Sequence, residues 1–250
     1  MKDELIEARL KPLTSEETLM ADLTRYSESS TEVIAEKFDI VIDKSKIRCM
    51  QPGTWLNDEI INFYIQMILQ RDKALCNKFP ERRKSQAFNS FFMDKLIVDS
   101  GGYNFNNVKK WTKKFDVFDV EKLYIPINIS NAHWVLAVVF PQRKEVHFYD
   151  SMHGNGEKYL DALRRWLVDE AKKKSIDLDL SNWNFQSVGT APLQHNGTDC
   201  GVFTIMAADF ISDDLPVIEE SYDHTNMSFF RVKIVNDILR GNLNYPLKIA

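Results

Sequence analysis

Three short runs of β-branched and aromatic residues, close together in the middle of the chain, constrain the fold most. They occupy residues 123–129, 134–140 and 146–149. Runs of this composition are typical of strands that pack against one another. The short segment 141–144 predicts a hairpin turn between the last two runs. The chain is therefore predicted to contain a small, mainly antiparallel central sheet.

Helical patterns lie on both sides of this sheet in sequence. Thr14 and Glu17 form a capping-box pattern that opens a helix to about Tyr26, and Asn57 or Asp58 caps an amphipathic helix over 59–69. Further helical segments are predicted at 88–98, 157–174, 201–211 and 227–240, further strands at 38–42 and 183–188, and a loop at 71–85. Helices around a small sheet indicate an α+β fold. We expect an N-terminal helical arm over 1–30 and one domain over 31–250.

Charge and cysteine content narrow the functional classes. The 250 residues carry a formal charge of −4, which argues against a nucleic-acid partner, and the basic stretches 82–84, 109–110 and 113–114 are short enough to be solvated faces. Three cysteines without a Cys-x-x-Cys pair predict neither a disulfide framework nor a zinc site. The N-terminus lacks the apolar run of a signal peptide, and no stretch is long enough to span a bilayer. A soluble protein of a reducing compartment, cytosol or nucleus, is expected.

Cys200 is the first candidate for chemistry. It directly precedes the apolar segment 201–211, which is predicted to be a buried helix, and follows a turn-rich stretch. A thiol at a helix N-terminus meets unsatisfied backbone N–H groups and the positive end of the helix dipole, which favour the thiolate. Gly201 adds no side-chain bulk, so a substrate backbone can approach. Most cysteines taken singly are structural, so the case for Cys200 depends on its partners.

His133 and Asp150 are the predicted base and orienting acid. A thiolate nucleophile needs a base, and the base needs an acceptor that fixes its orientation. With a two-residue loop, His133 and Asp150 would lie directly opposite each other on adjacent strands; with a four-residue loop they would be near neighbours. His147, His153 and His224 fit less well as bases, and His195 is a weak rival.

Oxyanion donors and substrate walls complete the candidate site. The backbone N–H of Cys200 is one donor, and the side-chain amide of Gln194 is the candidate for a second. Trp55 lies in a loop before a helix, and Trp134 follows the proposed base. Tryptophan is most often a core residue, but these positions make an open, aromatic-walled substrate channel plausible, with Trp134 in the channel rather than in the core.

Six sequence blocks, in consistent order from about residue 37 to 239, resemble the Ulp/sentrin-specific (SUMO) proteases of the papain-like cysteine protease superfamily. The three that resemble its catalytic blocks are His133-Trp134, Phe148-Tyr-Asp-Ser-Met152 and Gln194-His-Asn-Gly-Thr-Asp-Cys-Gly201. The other three are Trp55-Leu-Asn-Asp-Glu-Ile-Ile-Asn-Phe-Tyr64, Phe88-Asn-Ser-Phe-Phe92 and the block over residues 101–112. One block alone is moderately specific, whereas six in order are hard to obtain by chance.

The resemblance implies a papain-like fold and a catalytic set of His133, Asp150 and Cys200, with Gln194 in the oxyanion hole. It also implies that Trp55 and Trp134 enclose the terminal Gly-Gly of SUMO in a tunnel that admits no side chain.

Asp58 is implied to pair with an arginine near the tail of the modifier. Partners would be SUMO and SUMO-conjugated proteins, with no nucleic acid and no membrane insertion. No metal or cofactor is expected. The protein would be a monomer in the nucleus or at the nuclear envelope rather than in the cytoplasm.

Departures and rival functions accompany this interpretation. Leu193 stands where the family usually has the first of two glutamines, next to the proposed donor Gln194. One rival is a deneddylase or another ubiquitin-like-modifier protease of the same superfamily. Others are a catalytically idle modifier-binding domain and an acetyltransferase that uses the same His–acid–Cys geometry.

Overall fold

The structure, a computed structural model, describes residues 2–98 and 102–243. Gly101, the first residue of one of the six blocks, lies outside the described residues, as do the last residues of the predicted domain, 244–250. Within the described ranges, none of the helices is both long and apolar enough to cross a bilayer.

The helices and strands follow one another along the chain with these bounds. The α-helices of the described residues are α1 (Lys2–Leu10), α2 (Ser15–Arg25), α3 (Lys44–Ile47), α4 (Asp58–Lys78), α5 (Phe91–Leu96), α6 (Glu157–Lys173), α7 (Cys200–Ser212) and α8 (Met227–Arg240). The strands are β1 (Val33–Lys37), β2 (Ile40–Asp43), β3 (Gln86–Ala87), β4 (Ile97–Val98), β5 (Gly102–Tyr103), β6 (Leu123–Ile129), β7 (His133–Phe140), β8 (Glu145–Tyr149) and β9 (Asn184–Ser187).

The chain forms two compact units. One consists of the described residues up to Arg71 together with those from Pro192 onward, and the other spans Asp72–Ala191. The division falls within α4. The expected arm over 1–30 and domain over 31–250 stay a prediction.

The unit Asp72–Ala191 contains the predicted sheet. Its five strands lie in the order β3-β6-β7-β8-β9. The central pairs β6–β7 and β7–β8 are antiparallel, whereas β3–β6 and β8–β9 are parallel. The three strands predicted from the central runs are confirmed. The parallel edge pair β8–β9 arises because the chain crosses over through α6 before it returns to the sheet.

Aromatic and aliphatic side chains fill the core of this unit. Trp166 of α6 packs edge-on against Phe88 and Phe92, which stack on each other at a centroid distance of 4.1 Å. Trp111 contacts the same two rings. Burial of each such side chain contributes about 1.5–3 kcal/mol. The strand ends that carry His133 and Asp150 therefore stand on a well-packed support.

In the other unit, α7 is buried along its whole length. Its one acidic residue, Asp209, is paired with two buried arginines: Arg9 Nε lies 3.0 Å and Arg71 Nη2 2.6 Å from its carboxylate oxygens. Burial alone would raise the pKa of Asp209, but the two guanidinium groups outweigh burial and hold that pKa far below its ordinary value. The predicted buried helix is confirmed, and α8 ends at Gly241 in the left-handed conformation as its sequence predicts.

Three predicted segments differ from the structure. The strand predicted at 38–42 begins only at Ile40, because Phe38 and Asp39 have positive φ angles and form the turn of a β1–β2 hairpin. The loop predicted at 71–85 is wrong over its first part, since α4 continues to Lys78. Arg71 and Asp72 are polar but buried, each with a charged partner, so polarity was a misleading signal there.

The predicted helical segment 88–98 is also shorter than expected. Helix α5 covers only Phe91–Leu96, and the two residues that follow form the edge strand β4. The capping box of α2 is present as predicted: Thr14 Oγ1 accepts the Glu17 N–H at 3.1 Å, and the Glu17 carboxylate accepts the Thr14 N–H at 2.8 Å.

Candidate active site

His133 and Asp150 are in contact at the ends of two neighbouring strands. His133 begins β7, Asp150 directly follows β8, and His133 Nε2 lies 2.6 Å from Asp150 Oδ1. The carboxylate also accepts the backbone N–H of Met152 at 2.8 Å and of Gly154 at 3.0 Å. Asp150 is only 6% exposed. The turn after β8 therefore holds the carboxylate in one orientation against the imidazole.

The hairpin register distinguishes the two loop lengths considered above. Phe140 pairs with Glu145 and Leu136 with Tyr149, so the loop contains four residues. In this register His133 and Asp150 are diagonal neighbours on one face of the sheet rather than directly opposed. The two-residue alternative is wrong, and the near-neighbour alternative is confirmed. The diagonal offset is within reach of these two side chains.

The charge of Asp150 determines the tautomer of His133. Burial alone would raise the pKa of the Asp150 carboxyl, but the hydrogen bonds from His133 and from the Met152 and Gly154 N–H groups outweigh burial and hold its pKa below the ordinary value. Asp150 is therefore ionised at neutral pH and only accepts hydrogen bonds. His133 Nε2 must carry the shared hydrogen, so Nδ1 is the basic nitrogen of the neutral ring.

Gly154 is a site residue that the sequence reasoning missed. A Cβ atom at this position would lie 2.6 Å from Asp150 Oδ2. A side chain there would displace the carboxylate, so only glycine lets the backbone N–H approach it this closely. The signal in the sequence was a glycine within the turn-forming residues after Asp150.

Cys200 is the first residue of α7, as its position before the buried helix predicts, and it is 2% exposed. Asp199 precedes it as the N-cap residue, but the Asp199 side chain does not accept a hydrogen bond from the helix. It binds Arg231 instead, with Oδ1 3.0 Å from Nε and 2.7 Å from Nη2. The unsatisfied N–H groups of the first turn therefore have no side-chain cap next to the thiol.

Residues 194–199, here called the Cys200 loop, are ordered by hydrogen bonds within the loop. Gln194 Nε2 donates to the Asn196 carbonyl at 2.6 Å, and Asn196 Oδ1 accepts the backbone N–H groups of Thr198 and Asp199 at 2.9 and 3.0 Å. Gln194 is buried. Its side-chain amide is thus oriented by the same loop that leads into Cys200.

The two tryptophans differ sharply in exposure. Trp55 is 51% exposed, and its indole N–H donates to the Gly197 carbonyl at 2.6 Å, which places an aromatic face beside the Cys200 loop. Trp134 is 4% exposed. The expectation that the Trp134 ring lies open and outside the core is therefore wrong, whereas its place beside the Gly-Gly tail stays a prediction.

Asp58 and Gly201 lie at the first turns of two helices of the same unit. Asp58 begins α4, and burial and the neighbouring Glu59 raise the pKa of its carboxyl above the ordinary value. Among the ion pairs of the described residues, Lys46 pairs with Glu59, and none involves Asp58. Lys46 offsets this rise only in part, so a cation brought to Asp58 would favour its ionised form. Gly201 is buried in the first turn of α7.

The other histidines are engaged elsewhere. His195 stacks on His224 at a centroid distance of 3.7 Å, and both are exposed. His153 contacts the Ala191 carbonyl, and His147 the hydroxyl of Tyr149. Cys200, Gln194 and Trp55 belong to one compact unit, and His133, Asp150 and Trp134 to the other. The meeting of Cys200 with His133 is therefore a prediction.

The α+β fold has a His–Asp pair at the end of a sheet and a cysteine at the start of a buried helix. This combination is typical of papain-like cysteine proteases. The chain belongs to the Ulp1 protease family: the profile of the C-terminal catalytic domain of that family matches residues 54–243.

Relatives and solved structures agree with this assignment. The chain is 36% identical over 230 residues to ubiquitin-like-specific protease 1A of Arabidopsis thaliana, covering 90% of this chain and 44% of that protein. It is 36% identical over 215 residues to human (Homo sapiens) sentrin-specific protease 2, covering 85% and 34%. These two relatives are thus more than twice as long as the matched region.

The C-terminal Ulp1 protease domain in complex with Smt3, the yeast ortholog of SUMO, superimposes with a TM-score of 0.75 at 24% identity, covering 92% of this chain and 96% of that chain. At this identity the likeness concerns the fold.

Proposed function

We propose that the protein is a SUMO-specific cysteine protease. It cleaves after the C-terminal Gly-Gly of SUMO, both to process precursors and to release SUMO from lysine side chains of target proteins. The observation that carries the proposal is the 2.6 Å contact of His133 with an Asp150 carboxylate held by two backbone N–H groups. Membership of the Ulp1 protease family and the Smt3 complex of a structural relative support the choice of substrate.

The proposed reaction is acyl transfer through Cys200. His133 Nδ1 takes the thiol proton, and the Cys200 sulfur attacks the carbonyl carbon of the terminal glycine. The C–N bond to the lysine or to the following residue then breaks, and the proton on His133 goes to the leaving amine. Water, deprotonated by His133, hydrolyses the thioester and regenerates the thiol.

Charge stabilisation falls to three groups. Asp150 keeps Nε2–H of His133 in place and stabilises the imidazolium that forms. The Cys200 backbone N–H and the Gln194 side-chain amide donate to the oxyanion of the tetrahedral intermediates. No metal or cofactor takes part in this proposal.

Specificity for a Gly-Gly tail follows from steric exclusion. We expect the half-exposed ring of Trp55 and the buried ring of Trp134 to enclose the tail, with Gly201, in the first turn of α7, adding no side chain beside the nucleophile. A passage of that kind admits glycine and rejects larger residues. The carboxylate of Asp58 would bind an arginine near the modifier tail.

Hydrolysis of fluorogenic C-terminal amides of several ubiquitin-like modifiers tests the proposal. SUMO amide should be cleaved preferentially, and Cys200→Ser should abolish turnover while retaining SUMO binding. Preferential cleavage of another modifier would favour the rival deneddylase, and turnover of acetyl-coenzyme A without amide cleavage would favour an acetyltransferase. Binding of SUMO without turnover by the unmodified protein would indicate an idle binding domain.

The remaining partner and location assignments are proposals of the same kind. We take SUMO and SUMO-conjugated proteins as the partners, without nucleic acid, and a monomer as the working state. A nuclear or nuclear-envelope location follows from the same proposed substrate. Sedimentation of the purified protein and imaging of a tagged chain test the last two.

A further inference from the structure

Arg231, on α8, makes an unusual set of contacts for a residue away from the proposed chemistry. Its side chain is 1% exposed, and its guanidinium group donates to four backbone carbonyls and one carboxylate. Nη1 donates to the carbonyls of Cys49 and Gln51, each at 3.0 Å. Nη2 donates to those of Thr54 at 2.9 Å and Thr198 at 3.0 Å. Such a planar fork of donors is available to arginine alone.

The acceptors belong to two segments that carry proposed site residues. Residues 49–54 lead into Trp55, and Thr198 and Asp199 lead into Cys200. Nη2 donates to the carbonyls of both Thr54 and Thr198. These two residues are the chain neighbours of Trp55 and Gly197, and the Trp55 indole N–H donates to the Gly197 carbonyl at 2.6 Å. One nitrogen of Arg231 therefore fixes both sides of the contact between the aromatic wall and the Cys200 loop.

Arg231 also balances charge beside the nucleophile. Asp199 stands at the start of α7, directly before Cys200, and a bare carboxylate there would disfavour a thiolate on the next residue. Both Nε and Nη2 of Arg231 bind Asp199 Oδ1. The carboxylate is thus neutralised by a buried guanidinium, and the positive end of the α7 dipole stays available to the thiolate.

From these contacts we infer that Arg231 is a positioning residue for the proposed reaction. It sets the place of the Trp55 wall and the orientation of the Cys200 loop together, and it removes the electrostatic penalty of Asp199. The inference rests on the proposed function for its catalytic consequence. The geometry it describes does not depend on which modifier is cleaved.

Substitutions separate the two parts of this role. Arg231→Lys keeps the positive charge near Asp199 but cannot donate to four carbonyls. Arg231→Gln loses the charge as well, and the pair Arg231→Gln with Asp199→Asn restores charge balance without restoring the carbonyl contacts. Arg240→Gln is the matched control for activity, because Arg240 lies on the same helix and its partners, Glu17 and Asp237, belong to neither segment.

Each variant is studied by four measurements. They are kcat and KM on SUMO amide, the rate of Cys200 alkylation by iodoacetamide, urea unfolding, and the fluorescence emission of Trp55. The Trp55 emission is the difference between the spectra of the same protein with and without Trp55→Phe. Misplacement of reacting groups costs about 100-fold in rate. We therefore expect Arg231→Lys to lower kcat/KM about 100-fold, with a rise in KM and an altered Trp55 emission, while the protein remains folded in the assay.

The alkylation rate of Cys200 measures how far Arg231 offsets the charge of Asp199. Arg231→Gln should slow it more than Arg231→Lys does, and the additional Asp199→Asn should recover the alkylation rate but not kcat/KM. Arg240→Gln should resemble the unmodified protein in kinetics, alkylation and Trp55 emission, and any loss in urea unfolding would reflect its pair with the buried Asp237. If Arg231→Lys retained kcat/KM and the Trp55 emission, or if every loss matched the unfolded fraction alone, the inference would be overturned.

The proposed function and this inference fail in different ways. A wild-type chain that cleaves no SUMO amide contradicts the proposed function. The alkylation and fluorescence measurements still report on Arg231 in that case, because they need only the folded protein. Unchanged alkylation and emission in Arg231→Gln would contradict the inference while leaving the protease proposal intact.

Discussion

At the scale of single residues, the carboxylate of Asp150 is held more firmly than its sequence suggests. Strand-end spacing predicts its approach to His133, but the two backbone N–H donors come from a turn whose course depends on Gly154. That dependence is steric, and a sequence without its backbone dihedrals does not display it. Arg231 was missed as well, because a lone arginine on an amphipathic helix is ordinarily a surface residue and the sequence does not show its backbone partners.

Gly154→Ala tests the fit of this turn. The added Cβ would meet Asp150 Oδ2 at 2.6 Å and push the carboxylate away from His133. We expect turnover of SUMO amide to fall at least about 10-fold, as positioning losses of this kind do, with a smaller effect on folding. Gly189→Ala is the control, since nothing lies within 4 Å of a Cβ built there. Equal turnover in the two variants would contradict this account.

Asp150→Asn tests the ionised state of the acid. The amide cannot stabilise an imidazolium, so turnover should fall by roughly 10²–10⁴-fold. The Asp150 pKa is lowered from 3.8 in the folded protein, so its ionised form adds stability above pH 3.8, and this contribution is lost as the pH falls below that value. Urea unfolding of both proteins should show the advantage of the wild type shrinking below pH 3.8. A constant difference down to the acid limit of folding would argue against the assignment.

Trp55 and Trp134 form a matched pair for separating binding from stability. Trp55→Ala removes a half-exposed ring, so it should raise KM and change the free energy of unfolding little. Trp134→Ala removes a buried ring and should cost about 3–5 kcal/mol of stability. Thermal or urea unfolding together with kcat and KM distinguishes the two. The account of Trp134 fails if its loss leaves the unfolding midpoint unchanged.

At the scale of elements, patterns that repeat within one helix or strand were predicted well. The capping box of α2, the three central strands and the apolar helix α7 are all where their residues indicate. The largest error occurs where buried polar groups interrupt the pattern. Helix α4 continues past residue 70 because Arg71 and Asp72 are buried with partners elsewhere in the chain, and such partners are not visible locally.

The ion pairs of α7 give a prediction about the N-terminal helix α1. Arg9 of α1 is buried against Asp209, so Arg9→Ala leaves the carboxylate with one of its two arginines. Loss of one member of a buried pair costs about 3–5 kcal/mol, and urea unfolding should show a decrease of that order. Lys11→Ala, at an exposed position, is the control. A decrease no larger than that of Lys11→Ala would indicate that α1 contributes little to this unit.

At the scale of the whole molecule, the proposed catalytic set is divided between two compact units. One unit carries Cys200 and Gln194, and the other carries His133 and Asp150. Local chemistry identified each half independently: a thiol at a helix start and a His–Asp pair on a hairpin. Local chemistry could not identify the substrate, because the same groups serve acyl transfer to many acceptors. It was the order of six sequence blocks that indicated SUMO.

The most direct test of the central claim is the attachment site of a SUMO vinyl sulfone, read by peptide mapping. The account predicts a single thioether at Cys200 in the wild-type chain, none in Cys200→Ser, and strongly slowed formation in His133→Ala. Cys49 should stay unlabelled, because burial raises the pKa of its thiol to about 11. Attachment at Cys49 or Cys76, or undiminished labelling of Cys200 without His133, would contradict it.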